Sequence, residues 1–237
     1  IVLVSHGNFV LKKYTASKIK KYIYYTILSL FDTKNNYLQY LSEAEMNKSF
    51  KPFKQAFICP SSLPIIDLTK VSSDLTLNKD DINIFYIAAF KYYRKGFDIL
   101  FDIKNWHVNT KIHIVGPEKD EIKNFIPNEL KSNIVLHGRK SRKWVLANIA
   151  KFDYTMLLSR SEGFPISLIE SIIYKTPIIV SEGTNFKFLV NSYKLGFDIE
   201  DVITDPSILE KSFTIENELF KEEVFNEKYF ENLKQNL

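Results

Sequence analysis

Two glutamates eight positions apart, Glu162 and Glu170, are the side chains in this sequence best suited to bind a ligand. Glu162 precedes a Gly-Phe-Pro turn, and Glu170 lies inside an apolar run with helical spacing. A carboxylate in such a run is costly to remove from water unless it accepts hydrogen bonds. Vicinal ribose hydroxyls would supply them, so a polyhydroxylated ligand is predicted. The alternative is a capping residue paired with a solvated helix face.

The segment around these glutamates predicts a strand, a loop and a helix. YTMLLS has the character of a strand, SRSEGF follows as a loop, and Pro165 suits the first turn of a helix. Ligands bind outside the carboxyl ends of strands in open α/β sheets. The first amides of the new helix, at Ile166 and Ser167, are expected to be donors suited to phosphate. Four isoleucines at helical spacing are expected to face the core: Ile166, Ile169, Ile172 and Ile173.

A second candidate is the basic segment AAFKYYRKGFDIL, at the end of another predicted strand. Its loop carries Lys91, Arg94 and Lys95, and Gly96 opens a helix. Cations fixed at the carboxyl end of a strand could stabilise a diphosphate leaving group, and glycine allows the backbone to approach closely. The alternative is a solvated basic loop.

The histidines and the cysteine are less informative. His6 follows the strand-like run IVLVS and is a candidate, although a lone histidine is more often structural. His107, His113 and His137 have no partner in sequence and are assigned no role. Cys59 precedes a proline and is expected to be a small buried residue.

Composition and missing motifs exclude several classes of protein. The net charge of +4 is too mild and dispersed to predict nucleic-acid binding, and it fits an anionic small molecule or lipid. One cysteine excludes an internal disulfide framework and permits a reducing compartment. The sequence lacks G-x-G-x-x-G, a Walker lysine loop, G-x-S-x-G and a Cys/His cluster at metal spacing. It also lacks D-x-D, so no metal site is predicted.

Strand-like runs alternate with helical patterns, which predicts an α/β fold with parallel, doubly wound sheets of the Rossmann type. The predicted strands are 1–5, 37–42, 56–61, 82–89, 111–116, 133–138, 154–159 and 177–181. The predicted helices are 11–31, 43–50, 96–105, 118–125, 141–151, 165–175 and 184–192.

The composition changes at a polar segment that contains Pro64, which predicts two α/β units. Four regions are expected: an incomplete N-terminal domain at 1–64, a linker at 65–81, a ligand-binding domain at 82–214 and a helical tail at 215–237. Because the chain begins with Ile1 in what resembles a finished strand, it is expected to be a fragment.

Several motifs together resemble the retaining family 4 glycosyltransferases, which have the GT-B fold. EGFPISLIE is similar to the E-x7-E motif of that family, and RKGFDIL resembles its K-G-x-D-x-L motif. NIVLHGRKS and YKTPIIVSEGTN resemble the segments on either side of the E-x7-E motif in that family. VSHGNF and YLSEAE look like the end of the acceptor-side domain. The resemblance covers nearly the whole chain in the order of the family.

The resemblance implies roles for individual residues. Glu170 would bind the donor ribose and Glu162 would lie against the transferred sugar. Arg94 and Lys95 would neutralise the diphosphate. Backbone amides after Gly163 and Phe164, continuing through Pro165 to Ile166 and Ser167, would hold phosphate or sugar oxygens. His6 would lie near the acceptor and donor sugar, and Arg139 near the nucleobase.

The sequence departs from the family pattern at two positions. Phe90 stands where an arginine is common, and Lys175 replaces the common glycine of G-x-P. Most of an acceptor domain is also expected to be missing before Ile1. The chain alone is therefore expected to bind the donor weakly and to lack full activity.

The function implied by the resemblance is transfer of a sugar from a nucleotide diphosphate-sugar, of the UDP-sugar class, to a hydroxyl with retained configuration. No cofactor or metal is implied, and a saccharide or lipid-linked acceptor in surface polysaccharide or glycolipid assembly is expected. Two alternatives are a sugar-nucleotide epimerase of similar fold and a non-enzymatic sugar-nucleotide-binding accessory protein.

The lysine-rich segment 11–31 bears on where the protein works. It could lie on an anionic membrane surface, which predicts a cytoplasmic protein at the inner face of the membrane. The alternative is a solvated helix face.

Overall fold

The computed structural model of the 237-residue chain describes residues 2–4, 26–27, 30, 32, 37–41, 46–47, 54–59, 75–104, 106, 109–209 and 213–215. The chain divides into two compact units. The first comprises Ile1–Leu63, Ser161–Phe164 and Glu222–Leu237, and the second comprises Pro64–Arg160 and Pro165–Lys221.

The first unit contains a parallel three-stranded sheet in the order β1-β2-β3. Its strands are β1 (Val2–Val4), β2 (Tyr37–Tyr40) and β3 (Ala56–Ile58). Tyr40 and Cys59 are completely buried, so the prediction of a buried cysteine is confirmed. The helix predicted at 11–31 falls outside the described residues except for Thr26, Ile27 and Leu30, which are exposed.

The second unit contains a parallel six-stranded sheet in the order β6-β5-β4-β7-β8-β9. The strands are β4 (Ile82–Ile87), β5 (Thr110–Val115), β6 (Ile134–Gly138), β7 (Tyr154–Leu157), β8 (Ile178–Val180) and β9 (Gly196–Asp198). The helices are α1 (Phe97–Asp102), α2 (Lys119–Ile122), α3 (Arg142–Ile149), α4 (Ile166–Ile173), α5 (Lys187–Tyr193) and α6 (Ile199–Thr204). Short 3₁₀ helices span Lys123–Phe125, Asn128–Leu130, Glu182–Thr184 and Pro206–Ile208.

Strand β4 shows why its sequence, INIFYI, is almost continuously apolar. Ile84 and Tyr86 point to one face of the sheet, where they join a core cluster with α1. Phe85 points to the other face and packs with Ile149 of α3 and with Phe152, whose ring stacks at 4.2 Å. Because successive strand residues alternate between faces, a strand buried on both faces needs apolar residues at nearly every position.

All eight predicted strands are confirmed, seven with shorter bounds and β5 shifted by one residue, and the sequence missed β9 and α6. Both lie in the segment LGFDIEDVIT, where acids interrupt the apolar positions. Strand β9 has only three residues at the edge of the sheet, which leaves too short a pattern to recognise. The helical tail predicted at 215–237 falls outside the described residues except for Ile215, which is not helical.

A polar chain crosses β4, β5 and β6 within the face covered by α3. Asn83 Nδ2 donates to the carbonyls of Asn78 and Asp81 at 3.0 Å each, so its Oδ1 accepts from His113 Nε2 at 3.1 Å. His113 Nδ1 then accepts from His137 Nε2 at 2.9 Å. Burial lowers the pKa of both imidazoles and so favours their neutral forms, and the two histidines that had no partner in sequence are partners of each other.

We expect this histidine pair to make the protein less stable as pH falls. Burial, followed by the neighbouring His137, lowers the pKa of His113 from 6.5 to about 4. Below about pH 6.5, His113 is protonated in the unfolded chain. In the folded protein, His113 takes up a proton only near pH 4. The free energy of unfolding should therefore fall by about 2 kcal/mol from this group between about pH 7.5 and about pH 5.

Urea unfolding at these two pH values measures the effect. In His113→Gln, which cannot titrate, the loss of stability between the two pH values should be smaller by about 2 kcal/mol. If the free energy of unfolding depended equally on pH in both proteins, the pKa of His113 would not be lowered by folding.

Candidate functional site

The order of strands in the second unit creates one crevice. From β4 the chain adds β5 and β6 on one side, and it then crosses to add β7, β8 and β9 on the other. The strand order reverses between β4 and β7, and ligands of open α/β sheets bind at the carboxyl ends of strands at such a point. The segments that follow β4 and β7 are those in which the sequence predicted the basic loop and the helix carrying Glu170.

The basic loop is fixed against the end of β7 by Gly96. The residue has φ +75°, and a Cβ at this position would lie 2.0 Å from the carbonyl oxygen of Leu158. The loop also forms a turn in which the amide of Lys95 donates to the carbonyl of Lys91 at 2.8 Å. The Tyr86 hydroxyl, from the middle of β4, donates to the carbonyl of Lys95. The prediction that glycine permits a close backbone approach here is confirmed.

Arg160, which the sequence did not single out, connects the loop after β7 to the basic loop. Its Nη1 and Nη2 donate to the two carboxylate oxygens of Asp98 in α1, at 2.6 and 2.7 Å. Nη1 also donates to the carbonyl of Tyr93 at 2.6 Å, and its amide donates to the carbonyl of Arg94 at 2.9 Å. Paired bonds from a guanidinium to a carboxylate are strong and directional, so they hold the two loops together.

A second glycine brings the loop after β8 to the same place. A Cβ on Gly183 would lie 2.3 Å from the carbonyl oxygen of Ser159. The Ser181 hydroxyl donates to that oxygen at 2.8 Å. The backbone from Leu158 to Arg160 therefore packs closely against Gly96 at Leu158 and against Gly183 at Ser159 and Arg160.

Helix α4 starts at Ile166, as the sequence predicted, with Pro165 at its cap. Within the described residues no side chain caps this end, and Ile166 and Ser167 are half-buried. The first amides of a helix have no partner within the helix, so they can donate to an anion. Ile169 and Ile172 face the core as expected. Ile166 and Ile173 are only half-buried, which contradicts the prediction for those two residues.

Glu170 is 7% exposed, and its carboxylate is held by a protein cation. Arg142 Nε donates to Glu170 Oε1 at 2.8 Å, and Arg142 Nη2 donates to the same oxygen. Arg142 is the first residue of α3 and directly follows the cap Ser141. Arg142 was not predicted from the sequence, although a buried carboxylate requires a donor and the segment RKSRK offers four cations.

The cations predicted for the diphosphate lie in the turn after β4. Arg94 is exposed and Lys95 is half-buried. Glu162, Gly163 and Phe164 are half-buried and group with the first unit. His6 falls outside the described residues. The ligand contacts predicted for these residues stay predictions.

Arg139 lies on the surface beside two acids. Its guanidinium is 3.6 Å from the carboxylates of Glu118 and Glu121, and its side chain is 69% exposed. The next residue, Lys140, lies over the ring of Trp144, 5.2 Å from the ring centre. The contact predicted between Arg139 and a nucleobase stays a prediction.

The two departures from the family pattern have local explanations. Phe90 packs against Phe97 and Phe125 with ring centres 5.2 Å apart in each case, so it fills an aromatic cluster instead of supplying a charge. Lys175 has φ +59°, in the left-handed region that favours glycine. The glycine common at this position would therefore suit the backbone better than lysine.

A cavity of about 360 Å³ lies beside α1 and is lined by Asp98, Ile99, Asp102, Ile103, Lys104, Arg160 and Ile203. It shares Arg160 and Asp98 with the crevice between the loops, but its lining does not include Glu170. We therefore place the candidate ligand site at the loop ends and not in this cavity.

None of the helices in the described parts of the chain is both long and apolar enough to cross a membrane.

Comparison with known proteins shows what this arrangement is similar to. Residues 69–214 match the family model described as glycosyl transferases group 1. An uncharacterized glycosyltransferase of Methanocaldococcus jannaschii is 33% identical over 119 residues, which cover 49% of this chain and 34% of that relative. The matched part of the chain therefore spans about a third of the length of this relative.

Solved structures share the fold at low identity. Sucrose-phosphate synthase of Thermosynechococcus elongatus has a TM-score of 0.72 at 16% identity, with 99% of this chain and 67% of that chain covered. Anabaena HepE in complex with UDP and glucose has a TM-score of 0.71 at 13% identity, covering 99% and 71%. An S. aureus TarM mutant in complex with fondaparinux, α-GlcNAc-glycerol and UDP has a TM-score of 0.63 at 19% identity, covering 99% and 47%. These likenesses confirm the predicted α/β fold of the GT-B type.

Proposed function

Because the chain belongs to the glycosyl transferases group 1 family, we propose that it transfers a sugar from a nucleotide diphosphate-sugar to a hydroxyl acceptor with retained anomeric configuration. The observation that carries this proposal is topological: the basic loop follows β4, and α4 with Glu170 follows the neighbouring strand β7, at the strand-order reversal of the second unit. We further propose a UDP-sugar as the donor, since several proteins of similar fold were solved with UDP.

The chemistry requires the bond between the anomeric carbon and the diphosphate oxygen to break. Negative charge then develops on the leaving diphosphate, and fixed donors or cations near that charge lower the barrier. Lys95, Arg94 and the first amides of α4 are the groups proposed to stabilise it. The acceptor hydroxyl forms the new bond on the same face of the sugar, and its proton passes to the leaving diphosphate oxygen.

Glu170 is proposed to bind the ribose, and Glu162 to contact the transferred sugar. A buried carboxylate can accept from two adjacent hydroxyls, which favours the ribose diol as its ligand. Backbone amides from Gly163 through Phe164 are proposed to hold phosphate or sugar oxygens, and Arg139 to approach the nucleobase. His6 is proposed to lie near the acceptor.

The two earlier alternatives are not favoured. The matching family and the archaeal relative are both described as glycosyltransferases, which gives no support to a sugar-nucleotide epimerase or a non-enzymatic binding protein. No cofactor or metal is proposed for the reaction.

The test is turnover of UDP-glucose, UDP-galactose, UDP-N-acetylglucosamine and GDP-mannose by the protein, with saccharide and lipid-linked acceptors. We expect release of the nucleoside diphosphate from one donor together with a product of retained configuration. Product of inverted configuration would contradict the retaining mechanism, and no turnover of any donor by the full-length protein would contradict the enzymatic function.

The same assay tests the proposed setting at the cytoplasmic face of a membrane, in surface polysaccharide or glycolipid assembly. The lysines of 11–31 would attract an anionic surface. Lipid-linked acceptor should therefore be used faster in anionic vesicles than in neutral vesicles. Equal rates would argue against a membrane role for this segment.

A further inference from the structure

We propose that Arg142 positions Glu170 for the ribose and thereby determines the preference of the site for ribonucleotides over 2′-deoxyribonucleotides. This inference rests on the proposed function, because it assigns a positioning residue to the same donor site. Its basis is the pair of hydrogen bonds from Arg142 Nε and Nη2 to a single oxygen, Glu170 Oε1.

The ion pair holds one oxygen of the Glu170 carboxylate, Oε1, in a fixed position. Both donors are used on Oε1, so the planar guanidinium restrains the orientation of the carboxyl group. The Glu170 side chain is 9% exposed and the Arg142 side chain is 36% exposed. A pair at this depth is screened much less by water than a surface pair, so its orientation persists.

The position of Arg142 is not explained by the stability of its own helix. A cation in the first turn opposes the positive end of the helix dipole, and the first turn of α3 carries Arg142 and Lys143 without an acid. Ser141 already satisfies an amide of this turn by accepting from Trp144 at 3.2 Å. The helix is anchored beneath by Val145 and Ile149, which are buried. Arg142 is therefore held on a rigid element, with its charge directed to Glu170.

The chemistry of a diol explains why orientation should matter. Two adjacent hydroxyls can both donate to a carboxylate only when its plane is aligned with them. Without Arg142 the Glu170 carboxylate would lose its cation in a buried place, and it would turn or take up a proton. Either change weakens the binding of a ligand that uses both hydroxyls more than it weakens the binding of a ligand that lacks the 2′-hydroxyl.

The experiment compares binding of UDP, GDP and ADP with binding of their 2′-deoxy forms by titration calorimetry on the 237-residue chain. The unchanged protein should bind one ribonucleoside diphosphate at least about 10-fold more tightly than its deoxy form. Arg142→Gln should weaken binding of the ribo form by about 10- to 100-fold and of the deoxy form by less than about 3-fold. Lys143→Gln removes the same charge from the same turn and should keep the preference.

Arg142→Lys provides the second variant if Arg142→Gln does not fold, as checked by thermal melting. Lysine keeps the charge but cannot place two donors on one oxygen, so part of the ribose preference should return. An unchanged preference in Arg142→Gln, or equal losses for ribo and deoxy forms, would overturn the inference and leave the proposed function intact. Failure of the unchanged protein to bind any of the diphosphates would overturn the proposed function as well.

Discussion

Replacing Lys95 with alanine is expected to lower sugar-nucleotide turnover by about 100-fold or more, the usual effect of losing one electrostatic donor to a developing charge. Lys95 follows the central strand β4 and lies beside Gly96, whose close approach to Leu158 fixes the turn. The Tyr86 hydroxyl holds its carbonyl, so the backbone that carries the cation is set before any ligand arrives. The measurement is the steady-state rate with the donor that the protein uses.

Lys91→Ala is the matched control, because Lys91 is an exposed lysine of the same loop and should change turnover by less than about 3-fold. Glu170→Ala should also lower turnover by about 100-fold, because it removes the contact to the donor ribose instead of the charge near the diphosphate. Binding measurements distinguish the two variants. Glu170→Ala should lose the preference for ribonucleoside over 2′-deoxyribonucleoside diphosphates, and Lys95→Ala should keep it. Near-normal turnover in both would refute the site.

Replacing Gly96 with alanine is expected to lower the free energy of unfolding by about 3 kcal/mol or more. Two costs combine at this position. An alanine would have to hold φ near +75°, and its Cβ would lie 2.0 Å from the carbonyl oxygen of Leu158 and 2.7 Å from the Leu158 Cβ. The contact is with Leu158, which directly follows β7, so its backbone cannot move far without disturbing that strand. Urea unfolding measures the change.

Gly138→Ala separates the two costs. Gly138 has φ +69°, close to the value at Gly96, but the nearest atom to its added Cβ is Glu118 Oε2 at 3.2 Å. That atom is the end of a flexible side chain, so only the backbone cost of about 1 kcal/mol should remain. An equal decrease in the free energy of unfolding in the two variants would show that the close contact at Gly96 adds nothing to the cost of the substitution.

The sequence predicted the sheet of the second unit well because its central strands are buried on both faces. INIFYI and KIHIV carry apolar residues at most positions, which few other structures require. Strand β9 escaped prediction because an edge strand of three residues has no comparable pattern. Local sequence also placed the start of α4, since a proline ahead of an apolar helical run is a strong signal.

The candidate site was predictable only in part, because its parts come from distant segments. The sequence identified Glu170 and Lys95, whose neighbours along the chain are informative. It could not identify Arg142, whose importance comes from a carboxylate 28 positions away. Arg160 was missed for the same reason, since its partner Asp98 is 62 positions away. His113 and His137 became interpretable only once β5 and β6 were paired.

The close packing of Leu158, Ser159 and Arg160 against two glycines has a consequence for engineering. A loop exchanged from a relative to alter donor choice would have to fit against Gly96 at Leu158 and against Gly183 at Ser159 and Arg160, where a Cβ added to either glycine would lie less than 2.5 Å from the backbone. The three segments after β4, β7 and β8 therefore form one exchangeable module, and a graft that takes one without the others should assemble poorly. Recombination points chosen within the sheet, below these ends, would transfer the module intact.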